Sequence, residues 1–446
     1  MTSTPERPVV ADPTPWSFPI PVRSRLDNGL EIAVHHLPGQ HVISATLLLD
    51  HSTDVEPAEQ EGVTSMVGRT LTEGTRTHAG ERFGELLANE GAAMGTAVGT
   101  DGIQVMIDVP APRLEAALGL LADAVRRPAL TDDDVRRQVA LRRADIAQAK
   151  ANSAATATTE YRRRIIDPAL RASRPVGGED ETVAAITGRA VRDVHASSFG
   201  PLRSTLVIGG DFATDPTALI DTVFGDWTGD AGPADHPRTT GGPQTAVIID
   251  RPGAVQADIR LGGWSVDRYD PRWPALRVAA YPMGGSFTSR LNGQLREEKG
   301  YTYGVHLVFT PLRSGGYFTV QGSFRTDVVG AALTEAREIL RVDERPFTNE
   351  ELQAAKNFFA GVSPLQYSTA DAVVDQTVLQ QTMDLPDDYL DQNLTKVLAV
   401  TPEQATDAYN SIVDVNELTL VLVGDADALS ADVTAAGFEV EVVTND

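Results

Sequence analysis

The 446-residue sequence contains no cysteine, which excludes disulfide bonds and thiolate zinc sites. No apolar run reaches the roughly 18–20 residues that a membrane-spanning helix requires. The first eighteen residues lack the basic flank and apolar centre of a signal peptide, so we expect a cytoplasmic protein. Residues 1–20 contain many Pro, Ser and Thr residues, and we expect them to form a disordered lead-in.

Basic residues are scarce, because 38 Lys and Arg stand against 62 Asp and Glu and give a net charge of −24. A surface this acidic repels nucleic acid and anionic lipid, so we expect neither nucleic acid nor a membrane as a partner. The excess charge serves solubility or attracts a basic peptide into an acidic cavity.

Several catalytic motifs are also missing from the sequence. It contains no G-x-S-x-G motif, no P-loop and no G-x-G-x-x-G motif. None of its eight histidines lies three or four residues from another, the spacing at which one helix presents two zinc ligands. The common nucleophile, phosphate and helical zinc sites are therefore not indicated.

The second half of the sequence repeats the pattern of the first. Thr187 lies 24 residues before Asp211, Thr401 lies 24 residues before Asp425, and both pairs are offset by 214. An ungapped repeat of this kind favours a duplicated domain over coincidence. The glycine- and proline-rich stretch 229–244 predicts a linker, which leaves domains at 21–228 and 245–446.

Residues 284–304, GGSFTSRLNGQLREEKGYTYG, predict a helix that leads into a strand. Ser286 is the expected N-cap, and an apolar stripe at four-residue spacing follows it: Phe287, Leu291 and Leu295. Gly300 occupies the place of a left-handed residue that ends a helix, and alternation of side chains then indicates a strand. Arg296, near the helix end, and Tyr303, just inside the strand, can therefore reach the same cleft.

These residues resemble the signature G-G-x-x-S-R-L-x-x-x-L-R-E-x-x-G-x-x-Y of the pitrilysin/insulinase family of zinc metallopeptidases, which includes mitochondrial processing peptidase. In that family an Arg and a Tyr, seven residues apart in the second domain, hold the substrate backbone beside the zinc of the first domain. The resemblance implies that Arg296 and Tyr303 bind substrate. It also implies an α+β fold of two homologous domains, each a mainly antiparallel sheet with helices packed on it, arranged as a clam-shell.

The family holds its zinc on an early helix with the motif H-x-x-E-H, together with a Glu about 75 residues later. Residues 62–75 align with that helix without a gap. Ser65 stands at the first His, Gly68 at the Glu and Arg69 at the second His, while Asp145 stands at the third ligand. Arginine is a permanent cation that cannot bind a metal ion, so we expect no zinc in this chain. We expect Arg69 to pair with Asp145 instead.

Some members of this family divide the work between two chains, one with H-x-x-E-H and the other with the Arg and Tyr. The resemblance therefore implies the non-catalytic, substrate-binding subunit of a heterodimeric bacterial zinc metallopeptidase, inactive alone, with the zinc in its partner. The expected substrates are unfolded or short peptides. The alternatives are a structural or assembly subunit and a peptide-binding protein with no proteolytic role.

Overall fold

A computed structural model describes residues 15–229 and 234–444 of the chain. The strands in chain order are β1 (Val22–Arg25), β2 (Glu31–His36), β3 (Val42–Asp50), β4 (Ala93–Val98), β5 (Gly102–Pro110), β6 (Ser204–Gly210), β7 (Ala246–Asp250), β8 (Gln256–Ser265), β9 (Thr302–Pro311), β10 (Gly316–Arg325), β11 (Thr419–Gly424) and β12 (Glu441–Thr444). The helices are α1 (Val63–Leu71), α2 (Glu81–Asn89), α3 (Leu114–Arg126), α4 (Asp132–Ala151), α5 (Ser153–Ile165), α6 (Asp180–Ala184), α7 (Gly188–Ser198), α8 (Thr217–Phe224), α9 (Trp273–Ala280), α10 (Arg290–Asn292), α11 (Val329–Leu340), α12 (Asn349–Gln366), α13 (Ala370–Thr382), α14 (Tyr389–Ala399), α15 (Pro402–Asn410) and α16 (Ala426–Ala435).

The strands form two six-stranded sheets with the same internal order. Five strands follow the order β2-β6-β3-β5-β4 in the first sheet and β7-β11-β8-β10-β9 in the second. Within each of these sets one pair is parallel, β2 with β6 or β7 with β11, and the other neighbours are antiparallel. The predicted α+β fold of two similar domains is therefore confirmed.

The two sheets differ in their sixth strand. In the first sheet β1 pairs with β2 as an antiparallel hairpin, whereas in the second β12 comes from the end of the chain and runs parallel to β7. Each sheet buries one face against the helices of its own half. Leu47 of β3 and Met66 of α1 are buried in the first core, and Ile259 of β8 and Leu333 of α11 are buried in the second.

Each half also places one helix against the sheet of the other half. Helix α5 packs on β8 and β11, and α13 packs on β3 and β6. The buried Tyr161 of α5 donates a hydrogen bond to the Phe318 carbonyl oxygen at 2.6 Å. Val374 and Val378 of α13 join a small apolar core with Val207 of β6. The two halves are therefore joined by buried apolar contacts as well as by the chain between them.

Ordered structure begins earlier than the predicted end of the lead-in. Residues 1–14 of that segment lie outside the described residues, but Phe18 is buried and its amide donates to Asp391 Oδ1 at 3.0 Å. Tyr367 stacks on the Trp16 ring and meets the Phe18 ring edge-on. These aromatic contacts hold the segment on the second half of the chain, which composition alone did not indicate.

His236 of the predicted linker makes an ionic contact with the first half, and residues 230–233 of that stretch lie outside the described part. The His236 ring lies between two carboxylates of the first half, with Nε2 2.7 Å from Asp50 Oδ1 and Nδ1 3.2 Å from Asp101 Oδ1. Hydrogen bonds to Asp101 and Asp50 raise the pKa of His236 to about 9, so the ring is charged at neutral pH. Within the described ranges, every helix falls short of the length and apolarity needed to cross a membrane.

Candidate functional site

The candidate site lies where a short helix runs into the edge strand of the second sheet. A π-helical segment, Tyr281–Gly285, ends in a turn, and α10 continues into a second π-helical segment, Gly293–Glu298. Gly300 has a φ of +64°, as predicted for the residue that ends the helix. Strand β9 follows at the edge of the sheet.

The start of the helix differs from the prediction. Ser289, not Ser286, is the N-cap, and it accepts a hydrogen bond from the Asn292 amide. The Ser286 amide instead bonds to the Tyr281 carbonyl oxygen and ends the preceding segment, so the new helix begins after the turn. Phe287 lies in that turn, is 72% exposed and is not part of the apolar stripe. The rest of the stripe is buried in the second core, as predicted: Leu291 and Leu295.

Arg290 of the signature and Asn292, at one of its variable positions, hold this helix in place. Arg290 is buried and donates from Nε and Nη2 to the Glu351 carboxylate, at 2.7 Å each. Burial opposes ionisation of Glu351, but the hydrogen bonds from Arg290 hold its pKa below the usual value. The Asn292 side chain donates to the Val305 carbonyl oxygen at 2.9 Å and accepts from the Val305 amide at 3.1 Å. Asn292 therefore fixes the helix to β9.

Arg296 and Tyr303 lie on either side of the helix–strand junction. In the described ranges neither side chain forms a hydrogen bond that ties the helix to the strand. The Arg296 guanidinium lies 3.4 Å from the centroid of the Phe287 ring, and its Nε donates to Glu297 Oε1 at 2.8 Å. Tyr303 is 95% exposed at the start of β9. Within the described ranges no hydrogen bond or ring contact joins Arg296 to Tyr303, and the Tyr303 hydroxyl bonds to no protein group. Tyr303 therefore stands at one end of the edge strand with its hydroxyl unbonded in the described fold, whereas Arg296 is held by Phe287 and Glu297.

The predicted pair at the altered zinc position is confirmed. Arg69 of α1 lies with Nη2 2.8 Å from Asp145 Oδ2 of α4, and its Nε donates to Gln138 Oε1 at 3.2 Å. Gly68, at the position of the general base, is buried against β4, and a Cβ there would meet Val98 Cγ2 at 2.9 Å. Strand β4 therefore occupies the space next to Gly68 that a side chain would need.

The residues at this position do not fit a zinc ion. Zinc sites in proteins use imidazole, thiolate or carboxylate ligands, usually three or four of them. Here the half-buried Ser65 offers a hydroxyl, Gly68 offers no side chain, and Asp145 already pairs with the Arg69 cation. Across residues 15–229 and 234–444, no three His, Asp or Glu side chains lie close enough to hold a metal ion.

A buried ionic network, which sequence analysis missed, holds the start of α1. The Glu56 carboxylate is fully buried and accepts from the Gly62 amide at 3.0 Å and the Thr64 amide at 2.9 Å. Arg171 donates to the same carboxylate from Nε and Nη2, at 3.0 and 2.8 Å. Glu56 and Arg171 lie 115 residues apart, so no local pattern in the sequence could have indicated their contact.

Comparison with known proteins identifies the family of the chain. A family model described as Insulinase (Peptidase family M16) matches residues 31–169, and one described as Peptidase M16 inactive domain matches residues 185–359. The chain belongs to peptidase family M16. With Ser65, Gly68 and Arg69 at the motif positions, this M16 chain is a non-catalytic member of the family.

Curated relatives of this M16 chain span most of its length. It is 19% identical over 371 residues to the non-peptidase homolog YmxG of Helicobacter pylori, which covers 82% of this chain and 85% of that protein. It is 24% identical over 396 residues to an uncharacterized zinc protease of Streptomyces coelicolor, which covers 85% and 84% respectively. The relatives of this M16 chain thus include proteins named as proteases and one named as a non-peptidase.

Solved structures support the fold of this M16 chain. A peptidase M16 inactive domain from Pseudomonas fluorescens superposes with a TM-score of 0.84 at 21% identity, covering 91% of this chain and 98% of that one. A protease from Helicobacter pylori superposes with a TM-score of 0.83 at 14% identity, covering 91% and 100%. At these identities the likeness establishes the architecture.

Proposed function

We propose that this M16 chain is the non-catalytic, substrate-binding subunit of a heterodimeric zinc peptidase and acts beside a partner chain that carries H-x-x-E-H. The observation that carries the proposal is a contrast within one signature. Arg290 is buried and paired with Glu351, and Leu291 is buried in the second core, whereas Tyr303 is exposed and its hydroxyl bonds to no group of the described fold. A signature residue that the fold does not use is best explained by binding to another molecule.

The two side chains have different roles in this proposal. The Tyr303 hydroxyl donates a hydrogen bond to the scissile carbonyl oxygen and to the oxyanion that develops on it. The planar Arg296 guanidinium donates to a backbone carbonyl oxygen of the peptide. Because Arg296 now stacks on Phe287 and pairs with Glu297, it exchanges at least one of these contacts when substrate binds. The hydrolytic chemistry belongs to the partner chain, since residues 15–229 and 234–444 of this chain offer no ligand set for a metal.

The test is to reconstitute the heterodimer and compare variants of this chain. Tyr303→Phe removes one hydroxyl and should lower kcat by about 100-fold, the effect of losing an oxyanion donor. Arg296→Ala removes a charge-assisted hydrogen bond and should lower kcat/KM by at least about tenfold. Tyr301→Phe is the matched control. It removes the hydroxyl of a tyrosine that lies two residues from Tyr303 and packs against the second core. Heterodimer assembly, measured by size-exclusion chromatography, should be unchanged in all three.

Two outcomes separate the proposal from its alternatives. Unchanged turnover in both the Tyr303 and Arg296 variants would favour a structural or assembly subunit. Peptide binding by this chain without any gain in activity on addition of an H-x-x-E-H chain would favour a peptide-binding protein with no proteolytic role.

A further inference from the structure

A cavity of about 370 Å³ lies where α5 crosses the second sheet. Its walls come from α5, β8, β9 and β10, so it faces the side of the sheet that α5 covers. The volume falls in the range of about 300–1,000 Å³ that is usual for small-ligand sites. Two arginines, Arg162 and Arg260, line the cavity, and no Asp or Glu does. In a chain with 62 acidic residues, such a lining is unusual.

Arg260 is a buried cation whose direct partners are all neutral. Its residue is 7% exposed, and it donates from Nε and Nη2 to Thr158 Oγ1, from Nη2 to the Ala154 carbonyl oxygen and from Nη1 to that of Ile259. Burial lowers the pKa of Arg260, and the negative charge of Asp258 opposes this effect. Within the described ranges no carboxylate lies within 4 Å of the guanidinium. Buried charges in proteins are normally paired, so Arg260 stands out.

The second arginine, Arg162, is half-buried and its hydrogen-bond partners are also neutral. Arg162 donates from Nε to the Ala172 carbonyl oxygen at 2.8 Å and from Nη2 to Thr100 Oγ1 at 3.2 Å, both neutral acceptors. Among the described residues, the two other fully buried arginines differ from Arg260, since Arg171 and Arg290 each donate twice to a carboxylate. The cavity therefore collects positive charge that no described protein group neutralises by direct contact.

Gln321 of β10 adds an unused polar group to the same wall. Its side chain is half-buried, and within the described ranges its amide forms no hydrogen bond. An amide N–H beside guanidinium groups is a suitable donor set for a carboxylate. Val308 of β9 also lines the cavity and lies five residues beyond Tyr303, which is roughly 17 Å along an extended strand. A short extended peptide spans that distance.

We propose that this cavity binds a carboxylate of the peptide substrate, either the C-terminal carboxylate or that of an Asp or Glu side chain. This inference rests on the proposed function, because the peptide must reach the second sheet. The Gln321 amide donates to the carboxylate, and the charges of Arg260 and Arg162 stabilise it. Charge-assisted contacts of this kind correspond to a change in Kd of about tenfold or more.

The experiment measures Kd by fluorescence anisotropy, with the full-length chain and an N-terminally labelled, unstructured ten-residue peptide. The peptide is made in three forms: with a free C-terminus and one internal Asp, with a C-terminal amide, and with Asp replaced by Asn. The protein variant is Gln321→Glu, which keeps the shape of the side chain and places a negative charge in the cavity. Arg260 is left intact because it also ties α5 to β8. Gln353→Glu, on the exposed face of α12, is the matched control for added charge.

We expect one of the two carboxylate removals to weaken binding to the unaltered chain by about tenfold or more. If amidation weakens binding, the cavity binds the C-terminal carboxylate. If Asp→Asn weakens binding, it binds a side-chain carboxylate. Gln321→Glu should abolish this preference while Gln353→Glu keeps it. Equal Kd values for all three peptides, or a preference that survives Gln321→Glu, would overturn the inference. If binding or turnover still depends on Arg296 and Tyr303 in that case, the proposed function stands without it.

Discussion

Replacing Arg171 gives a direct test of how the first domain holds helix α1, which carries Ser65, Gly68 and Arg69. The substitution Arg171→Met leaves the Glu56 carboxylate, whose side chain is 0% exposed, with only the two amides at the start of α1 as direct partners. Water has little access to that charge because the side chain is fully buried, and Arg174 of the same network pairs with Glu61. The cost is therefore that of an uncompensated buried carboxylate.

Breaking a buried ion pair from one side costs about 3–5 kcal/mol. For a domain of 150–250 residues, each kcal/mol lowers Tm by about 2–4 °C, so the expected fall is roughly 6–20 °C. The measurement is thermal unfolding of the full-length chain followed by circular dichroism. Arg136→Met is the surface control, because its partner Asp133 is exposed and such pairs contribute less than about 1 kcal/mol.

The double variant Glu56→Gln/Arg171→Met separates charge from packing. It removes both charges and keeps an amide oxygen that can still accept at the start of α1. We expect it to be more stable than Arg171→Met alone, because no ion is left buried. Equal or greater loss in the double variant would refute the reasoning, since the cost would then come from lost contacts rather than from an unpaired charge.

Two further predictions concern the linker and the junction. Because the pKa of His236 rises from 6.5 to about 9 in the folded protein, its contribution to stability is complete below about pH 6.5 and is lost as the pH rises through 9. His236→Gln should therefore flatten the dependence of the urea midpoint on pH between 6 and 10, and an unchanged slope would contradict this. Asn292→Ala leaves both backbone groups of Val305 without their side-chain partner, at a cost of at least about 2 kcal/mol in urea unfolding. It should also raise KM in the heterodimer, because Arg296 and Tyr303 lose their fixed relation.

The repeated architecture could be predicted from the sequence because its signals are local. The ungapped spacing from Thr187 to Asp211 and from Thr401 to Asp425 marks the helix that precedes β6 or β11 and the residue after that strand. The pairing of Arg69 with Asp145 followed from the charges alone once the two positions were aligned. Predictions of this kind depend on short-range pattern or on a single pair of residues.

The predicted start of the helix was wrong because two neighbouring elements compete for the same residue. Ser286 has the right chemistry for an N-cap, but the preceding π-helical segment uses its amide, and the helix therefore starts at Ser289. The exchange of α5 and α13 between the two sheets and the pairing of Glu56 with Arg171 join residues far apart in the chain. Such contacts depend on tertiary packing, which hydrophobic periodicity does not encode.

The proposed function assigns peptide binding to this chain and activation of water to its partner. The most direct test is the rate of cleavage of one fluorogenic peptide by this chain alone, by an H-x-x-E-H partner alone and by an equimolar mixture, each with zinc present. We predict no turnover by this chain alone and a large gain for the mixture over the partner. Turnover by this chain alone that a metal chelator abolishes would contradict this assignment of roles.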